Sequence, residues 1–249
     1  MKASVGYRTG CKKVADMEPE MTLWQPPPKC LNLPDNDLHF WRFELNTAGG
    51  IAAGFEDILS ALELSRVERL LDPNKKNQFI SARIHLRVIL GQYLQIRPNL
   101  VEFQYNQFGK PFLSKNHHSP LFFNLSHSRE LGGLVVARNM DVGVDLEHID
   151  SEMNFFQLSH SYFNEQEKLC LDQYPHSRQR RGFFRLWTQK EAMLKLWGSG
   201  FSMSSGMGSR SDVKLRTFPI RANYICSIAF RERIERIIKF HFSDRRSDL

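Results

Sequence analysis

The sequence predicts an α+β fold, and two observations carry that prediction. Apolar residues recur at helical three- and four-residue steps in some stretches and alternate with period two in others. Helix-like and strand-like stretches also follow one another twice in the same order, helix first and strands after, so the chain reads as two faintly repetitive halves.

The elements follow in order. Residues 1–36 read as a loosely organised leader, in which Pro26, Pro27 and Pro28 favour an extended segment. Residues 38–45 alternate well enough for a first strand, after which Gly49, Gly50 and Gly54 interrupt the pattern. From residue 58 to about 71 the apolar spacing is helical, with Pro73 expected to end the helix. A longer helix follows over about residues 75–94. Arg83 and Arg87 lie four apart on it and share one face, where two guanidinium groups repel unless they meet water or an anion. Residues 101–105 alternate as a strand, 106–111 turn the chain, and 121–125 form a second short strand. Residues 134–137 and 142–146 flank Arg138-Asn139-Met140-Asp141, which reads as a β-hairpin. Residues 166–171 are a short helical piece. Residues 183–197 make a long helix closed by Gly198 and Gly200. A Ser/Gly/Met-rich loop over 199–211 leads to a last strand at 223–230.

Composition narrows the class without choosing the function. At 249 residues and 29.1 kDa the chain can bury a sizeable core, as one large domain or two small ones. No apolar run approaches the roughly 18 residues of a spanning helix, and the N-terminus has no apolar signal-peptide core. The expectation is therefore a cytoplasmic protein without a membrane partner. Cys11, Cys30, Cys170 and Cys226 lie far apart without a C-x-x-C pair, which argues against a zinc ribbon or disulfide scaffold and fits free structural thiols. The net charge of +7 points to an anionic partner and leaves nucleic acid, an acidic protein and a polyphosphate open.

Chemistry enters at Val142-Gly143-Val144-Asp145-Leu146-Glu147. Alternate residues of a strand share a face, so Asp145 and Glu147 project together while Val144 and Leu146 pack the other side. Two carboxylates about 6–7 Å apart along a strand repel if both are ionised and poorly solvated, and a divalent cation relieves this. Hard oxygen ligands favour Mg²⁺, which completes its shell with phosphate and water. On the long helix, Glu191 and Lys195 are spaced i, i+4 and project together, with Trp187 one turn before Glu191. Brought to Asp145 and Glu147, Glu191 completes a three-carboxylate site with Lys190 and Lys195 at its edge, a Mg²⁺–pyrophosphate arrangement. Each piece alone also reads plainly, as an acidic strand end or a surface Glu–Lys pair. Phe123-Asn124-Leu125-Ser126-His127-Ser128 offers hydroxyls and an imidazole for a phosphate pocket, and Gly109-Lys110-Pro111 offers a cation on a tight turn.

These four stretches, with Trp187-Thr188-Gln189-Lys190-Glu191-Ala192 and Lys195 as the last, closely resemble the signatures of the 4'-phosphopantetheinyl transferase family, over about residues 38–230. The length resembles the larger, pseudo-dimeric type that activates peptide and polyketide synthetases. The resemblance implies two similar α+β halves, 37–142 and 143–249, related by a pseudo-twofold axis with the ligand cleft between them. It implies Asp145, Glu147 and Glu191 as Mg²⁺ ligands, with Asp145, Glu191 and Lys195 as the catalytic set. It also implies Lys190, Lys195, Lys110, Ser126 and His127 as contacts to the phosphates of coenzyme A, and Arg83 and Arg87 near its 3'-phosphoadenosine end. The implied reaction moves the phosphopantetheine arm onto a serine of an apo acyl or peptidyl carrier protein, by a monomer that binds no nucleic acid. Arg129-Glu130 departs from the Gly-Asp that the family often places after the serine–histidine motif. A metal-dependent nuclease is the rival enzyme reading, but it expects an E-x-K on a strand, whereas Glu147 is followed by His148 and Ile149. A non-catalytic coenzyme A-binding or nucleotide-binding module is the third reading.

Overall fold

A computed structural model of the chain describes residues 24–45, 54–198 and 212–242. The first part of the expected leader, Gly49, Gly50, Gly200 and the loop at 199–211 lie outside them. Nine strands and five α-helices are defined among the described residues, so the class is α+β.

Two sheets pack face to face, and each carries a long helix on its outer side. The first sheet has the order β4 (Leu121–Ser128), β5 (Leu131–Arg138), β1 (Asp37–Glu44), β9 (Arg236–His241). The second has the order β6 (Val142–His148), β8 (Tyr224–Phe230), β7 (Lys214–Arg221). Period-two alternation explains the layering. Trp41 and Phe43 of β1 face the helix side of the first sheet, while Leu38 and Phe40 face the second sheet, where they meet Val144, Leu146, Cys226 and Ile228. Gly143, Asp145 and Glu147 therefore point to the outer side of the second sheet.

α1 (Ala61–Arg69) starts at a capping box in which the Ser60 hydroxyl accepts the Glu63 amide and the Glu63 carboxylate accepts the Ser60 amide. α2 (Pro73–Leu94) starts at Asp72, whose carboxylate accepts the amides of Asn74 and Lys75. Pro73 thus opens α2 rather than ending α1, a position suited to a residue without an N–H. The middle of α2 is buried on all sides, from Ile80 to Gly91, with Arg83 and Arg87 included. α3 (Phe155–Tyr162), α4 (Glu165–Asp172) and α5 (Gln179–Trp197) cover the second sheet.

Three expectations need correction. Residues 134–137 and 142–146 do not form a hairpin: β5 pairs with β4 and β1, whereas β6 pairs with β8 in the other sheet. The hairpin is β4–β5, turning at Arg129, whose φ of +52° explains why a glycine would suit that position. Residues 223–230 are not the last strand, because β9 follows and pairs in parallel with β1. β9 is thereby an edge strand of the first sheet. Cys30 and Cys226 are free thiols as expected, but Cys170 takes part in a disulfide.

Candidate active site

Along one margin of the packed sheets, β4 and β6 are joined through side chains instead of a backbone ladder. β4 presents Asn124, Ser126 and Ser128 at every second position toward the free edge of β6. The Asn124 side-chain oxygen accepts the Val144 amide at 2.8 Å, the Ser126 hydroxyl the Leu146 amide at 3.3 Å, and the Ser128 hydroxyl the His148 amide at 3.1 Å. These bonds satisfy edge amides that would otherwise be buried without partners. The same hydroxyls donate to the acidic residues between those amides: Ser126 to Asp145 at 3.2 Å and Ser128 to Glu147 at 2.9 Å.

α5 comes onto the same face because Gly143 has no side chain. A Cβ there would lie 2.1 Å from the Ala192 carbonyl oxygen and 2.4 Å from the Leu196 nitrogen. Beneath the helix, Thr188 and Ser227 share a hydrogen bond of 2.8 Å, Ser227 and Thr217 one of 2.9 Å, and Gln189 donates to Thr217 at 2.9 Å. Held this closely, α5 brings Lys195 to Asp145, with the ammonium 2.6 Å from Oδ1 and 2.9 Å from the Ser126 hydroxyl.

The carboxylates form a strained electrostatic group. Asp145 is 3% exposed, and its Oδ2 is buried without a partner. Burial pushes its carboxyl above the usual range, against the pull of Lys195. Burial, then the charge of Asp145, pushes Glu147 up to about 7, despite hydrogen bonds from Ser128 and Trp187. Glu191 is raised by burial and then by Asp145, and its Oε1 is also buried without a partner. A cleft of about 260 Å³ opens beside this group, lined in part by Lys110, Asn124, Leu125, Glu191, Leu194 and Lys195.

The expected closed trio of metal ligands is not formed. No group of three or more His, Cys, Asp or Glu side chains among the described residues is arranged to hold an ion. Lys195 occupies Asp145 Oδ1 and Ser128 occupies Glu147 Oε2, so the three acids do not converge on one point. The donor chemistry nevertheless fits a hard cation. The two oxygens left without a partner, Asp145 Oδ2 and Glu191 Oε1, are hard carboxyl oxygens, buried and on elements packed together.

The remaining expected contacts divide. Ser126 is at the centre, and His127 points to the opposite, exposed side of β4. Its pKa is held below the ordinary imidazole value by desolvation and then by the Lys195 ammonium. Lys190 is directed elsewhere, to Glu167 at 2.8 Å and the Tyr162 carbonyl at 2.6 Å. Lys110 donates to the carbonyls of Lys195 and Val142, at 2.7 and 3.3 Å. Arg83 and Arg87 lie away from this group and face Glu63, each with a contact of 2.6 Å. Arg83 also donates to the Tyr105 hydroxyl, and Arg87 to the Val101 carbonyl at 2.8 Å. The anion that relieves this pair is thus the α1 capping glutamate.

Comparison of the sequence with known proteins points to one family. A family model described as "4'-phosphopantetheinyl transferase superfamily" matches residues 141–244. The 4'-phosphopantetheinyl transferase HetI of Nostoc sp. is 34% identical over 201 residues, covering 79% of this chain and 85% of the relative. The chain belongs to the 4'-phosphopantetheinyl transferase family. The putative 4'-phosphopantetheinyl transferase slr0495 of Synechocystis sp. is 32% identical over 149 residues, 60% of this chain and 61% of its own. The 4'-phosphopantetheinyl transferase gsp of Aneurinibacillus migulanus is 36% identical over 115 residues, 46% of each chain.

Membership makes the protein an enzyme of this transferase class and removes the nuclease and non-catalytic readings. The matched segment contains Asp145, Glu147, Glu191 and Lys195. Sequence reasoning missed Asn124 and Ser128 as joints between the sheets, and Thr188 and Gln189 as joints under α5. The signal for the first pair was present, as polar residues at strand period inside an otherwise apolar run.

Proposed function

We propose that this transferase moves the 4'-phosphopantetheine arm of coenzyme A onto a serine of an apo acyl or peptidyl carrier protein and releases adenosine 3',5'-bisphosphate. One observation carries the reading: two buried carboxylate oxygens without partners, Asp145 Oδ2 and Glu191 Oε1, lie on the packed elements β6 and α5, with the Lys195 ammonium on the other oxygen of Asp145. Asp145 and Glu191 would hold Mg²⁺ through these two oxygens, with Glu147 next along the same face of β6. When bound, that ion neutralises charge on the pyrophosphate oxygens, a contribution of several kcal/mol.

The chain's own groups do the rest. The carrier serine hydroxyl attacks the phosphorus bearing pantetheine, and the bond from that phosphorus to the adenosine bisphosphate breaks. Glu191, or a water it holds, takes the serine proton, a role suited to a carboxyl raised by burial. Lys195 steadies the leaving phosphate as a point charge, while Ser126 orients Lys195 and Asp145. We assign Lys195, with Ser126 beside it, as the phosphate contact at the cleft, and His127, on the exposed side of β4, as a contact to a phosphate of coenzyme A outside it. Lys110, Lys190, Arg83 and Arg87 already serve protein carbonyls and carboxylates, and on this reading they support the site instead. A long helix on each sheet, α2 and α5, supports two related halves with coenzyme A between them. The basic chain, at +7, suits an acidic carrier, and the reading carries with it a monomer acting in the cytoplasm.

The test is incubation with an apo carrier protein, coenzyme A and Mg²⁺, followed by intact mass of the carrier. A gain of one phosphopantetheine is expected. An unmodified carrier across acyl and peptidyl carrier substrates would overturn the assignment.

A further inference from the structure

The catalytic helix is gripped at its C-terminal end by a turn from the other half of the chain. The turn runs from Asn106 to Lys110, between β2 (Phe103–Tyr105) and β3 (Pro111–Leu113). Asn106 organises it: its side-chain oxygen accepts the amides of Phe108 and Lys110, both at 2.9 Å. Its side-chain nitrogen reaches across to the Gly198 carbonyl at 2.8 Å. Gly198 is the left-handed cap of α5, with φ of +64°, and a Cβ there would lie 2.8 Å from the Asn106 nitrogen. Lys110 completes the grip. Its ammonium points to the carbonyls of Lys195, Val142 and Leu196, at 2.7, 3.3 and 3.5 Å.

A helix C-terminus leaves its last carbonyls without intrahelical partners and carries the negative end of the dipole. A lysine and an amide donor placed there answer both needs. Three acceptors engage the three protons of an ammonium, which leaves Lys110 none for a phosphate. The carbonyl it holds at 2.7 Å belongs to Lys195, the residue whose side chain meets Asp145. Val142, the second partner, opens the strand that carries Asp145 and Glu147. One cation therefore ties the backbone of β6 to the last turn of α5, and Asn106 ties both to the first half.

We infer that Asn106 and Lys110 are positioning residues: the turn fixes the register of α5 against β6, and so the placement of Lys195 and Glu191 against Asp145. The inference rests on the proposed roles of Lys195 and Glu191. It distinguishes Lys110 from a ligand of coenzyme A, since it acts through backbone carbonyls.

The test uses the full chain with N106D and K110M. N106D keeps the oxygen that holds the turn and loses the donor to Gly198, so the turn itself survives. Hydrogen exchange in peptides covering the last turn of α5 should quicken about 10-fold in both variants, with β6 and β8 unchanged. In the transfer assay kcat should fall about 100-fold, because a small misplacement of a catalytic group is costly, while the coenzyme A KM stays within about twofold. Wild-type exchange rates in α5 in both variants would overturn the inference. So would a K110M enzyme with unchanged kcat and a raised coenzyme A KM, the mark of a phosphate ligand. Exchange needs no turnover, so failure of the transfer reaction itself in the wild-type protein is read separately.

Discussion

The two oxygens of Asp145 have different surroundings, and the chemistry follows from that difference. Oδ1 has Ser126 and Lys195, whereas Oδ2 has no partner although it is fully buried. An unpaired buried carboxylate oxygen is costly enough to demand a reason, and a cation supplies one. Substituting Asp145→Asn keeps the shape and removes the charge. Transfer should fall by about 10²–10³-fold with the unfolding midpoint nearly unchanged, and turnover at the wild-type rate with Mg²⁺ present would discredit the site. A second residue-scale expectation concerns His39, buried in the first sheet with its Nδ1 2.7 Å from the Tyr93 hydroxyl. Burial lowers its pKa to about 4, with Asp37 pulling it upward and Arg236 down. The folded value lies below the unfolded one, so the stability from a neutral His39 is whole above about 6.5 and drains away as pH falls toward 4. Urea midpoints measured from pH 7 to 4.5 should fall more steeply for the wild type than for His39→Gln. Parallel slopes would refute the assignment. Of these residues, Asp145 and Lys195 were legible in the sequence, since strand parity and helix spacing fix which side chains share a face. The partners of Arg83 and Arg87 were not, because helix spacing shows that two arginines share a face but not that Glu63 of another helix covers it.

At the scale of elements, the close approach of α5 to β6 decides whether acids and lysine meet. Gly143 and Ala192 provide it, and Gly143→Ala would drive a methyl group into the helix backbone. Overpacking of this kind costs about 3 kcal/mol, so the thermal midpoint should drop by several degrees and transfer should be lost with it. A Gly143→Ala protein with wild-type midpoint and rate would show that the helix stands off more freely than the distances imply. Most long elements were readable: α2, α5, β1 and β8 lie within a few residues of where periodicity put them. The misassigned hairpin has a physical cause. β5 and β6 are both apolar and separated by three residues, which suits a hairpin as well as a crossing between sheets. Only the run Asn124, Ser126, Ser128 hinted that β6 would find side chains on its open edge. Of the three-residue strands, β2 lies inside the alternating run at 101–105, whereas β3 is too short to leave a period of its own.

For the whole molecule, the first sheet is closed by a strand from the far end of the chain. β9 lies parallel to β1, and Phe240 packs on Trp41 at 4.7 Å and edge-on to His39 at 5.0 Å. A chain ending at residue 235 would lose those contacts and bare the edge of β1. It should lose the cooperative thermal transition and aggregate, and a soluble truncated protein with the full-length midpoint would contradict this. Parallel pairing of this kind cannot be read from local periodicity, which names strands without naming their neighbours.

That pairing also sets a timetable for synthesis. About 190 residues separate Glu44 from Arg236, so at about 5–20 residues per second a ribosome releases β9 roughly 10–40 s after its neighbour. For that interval β1 has one flank uncovered in a crowded cell, and a chaperone waiting at the exit tunnel would find its natural client in the half-made chain.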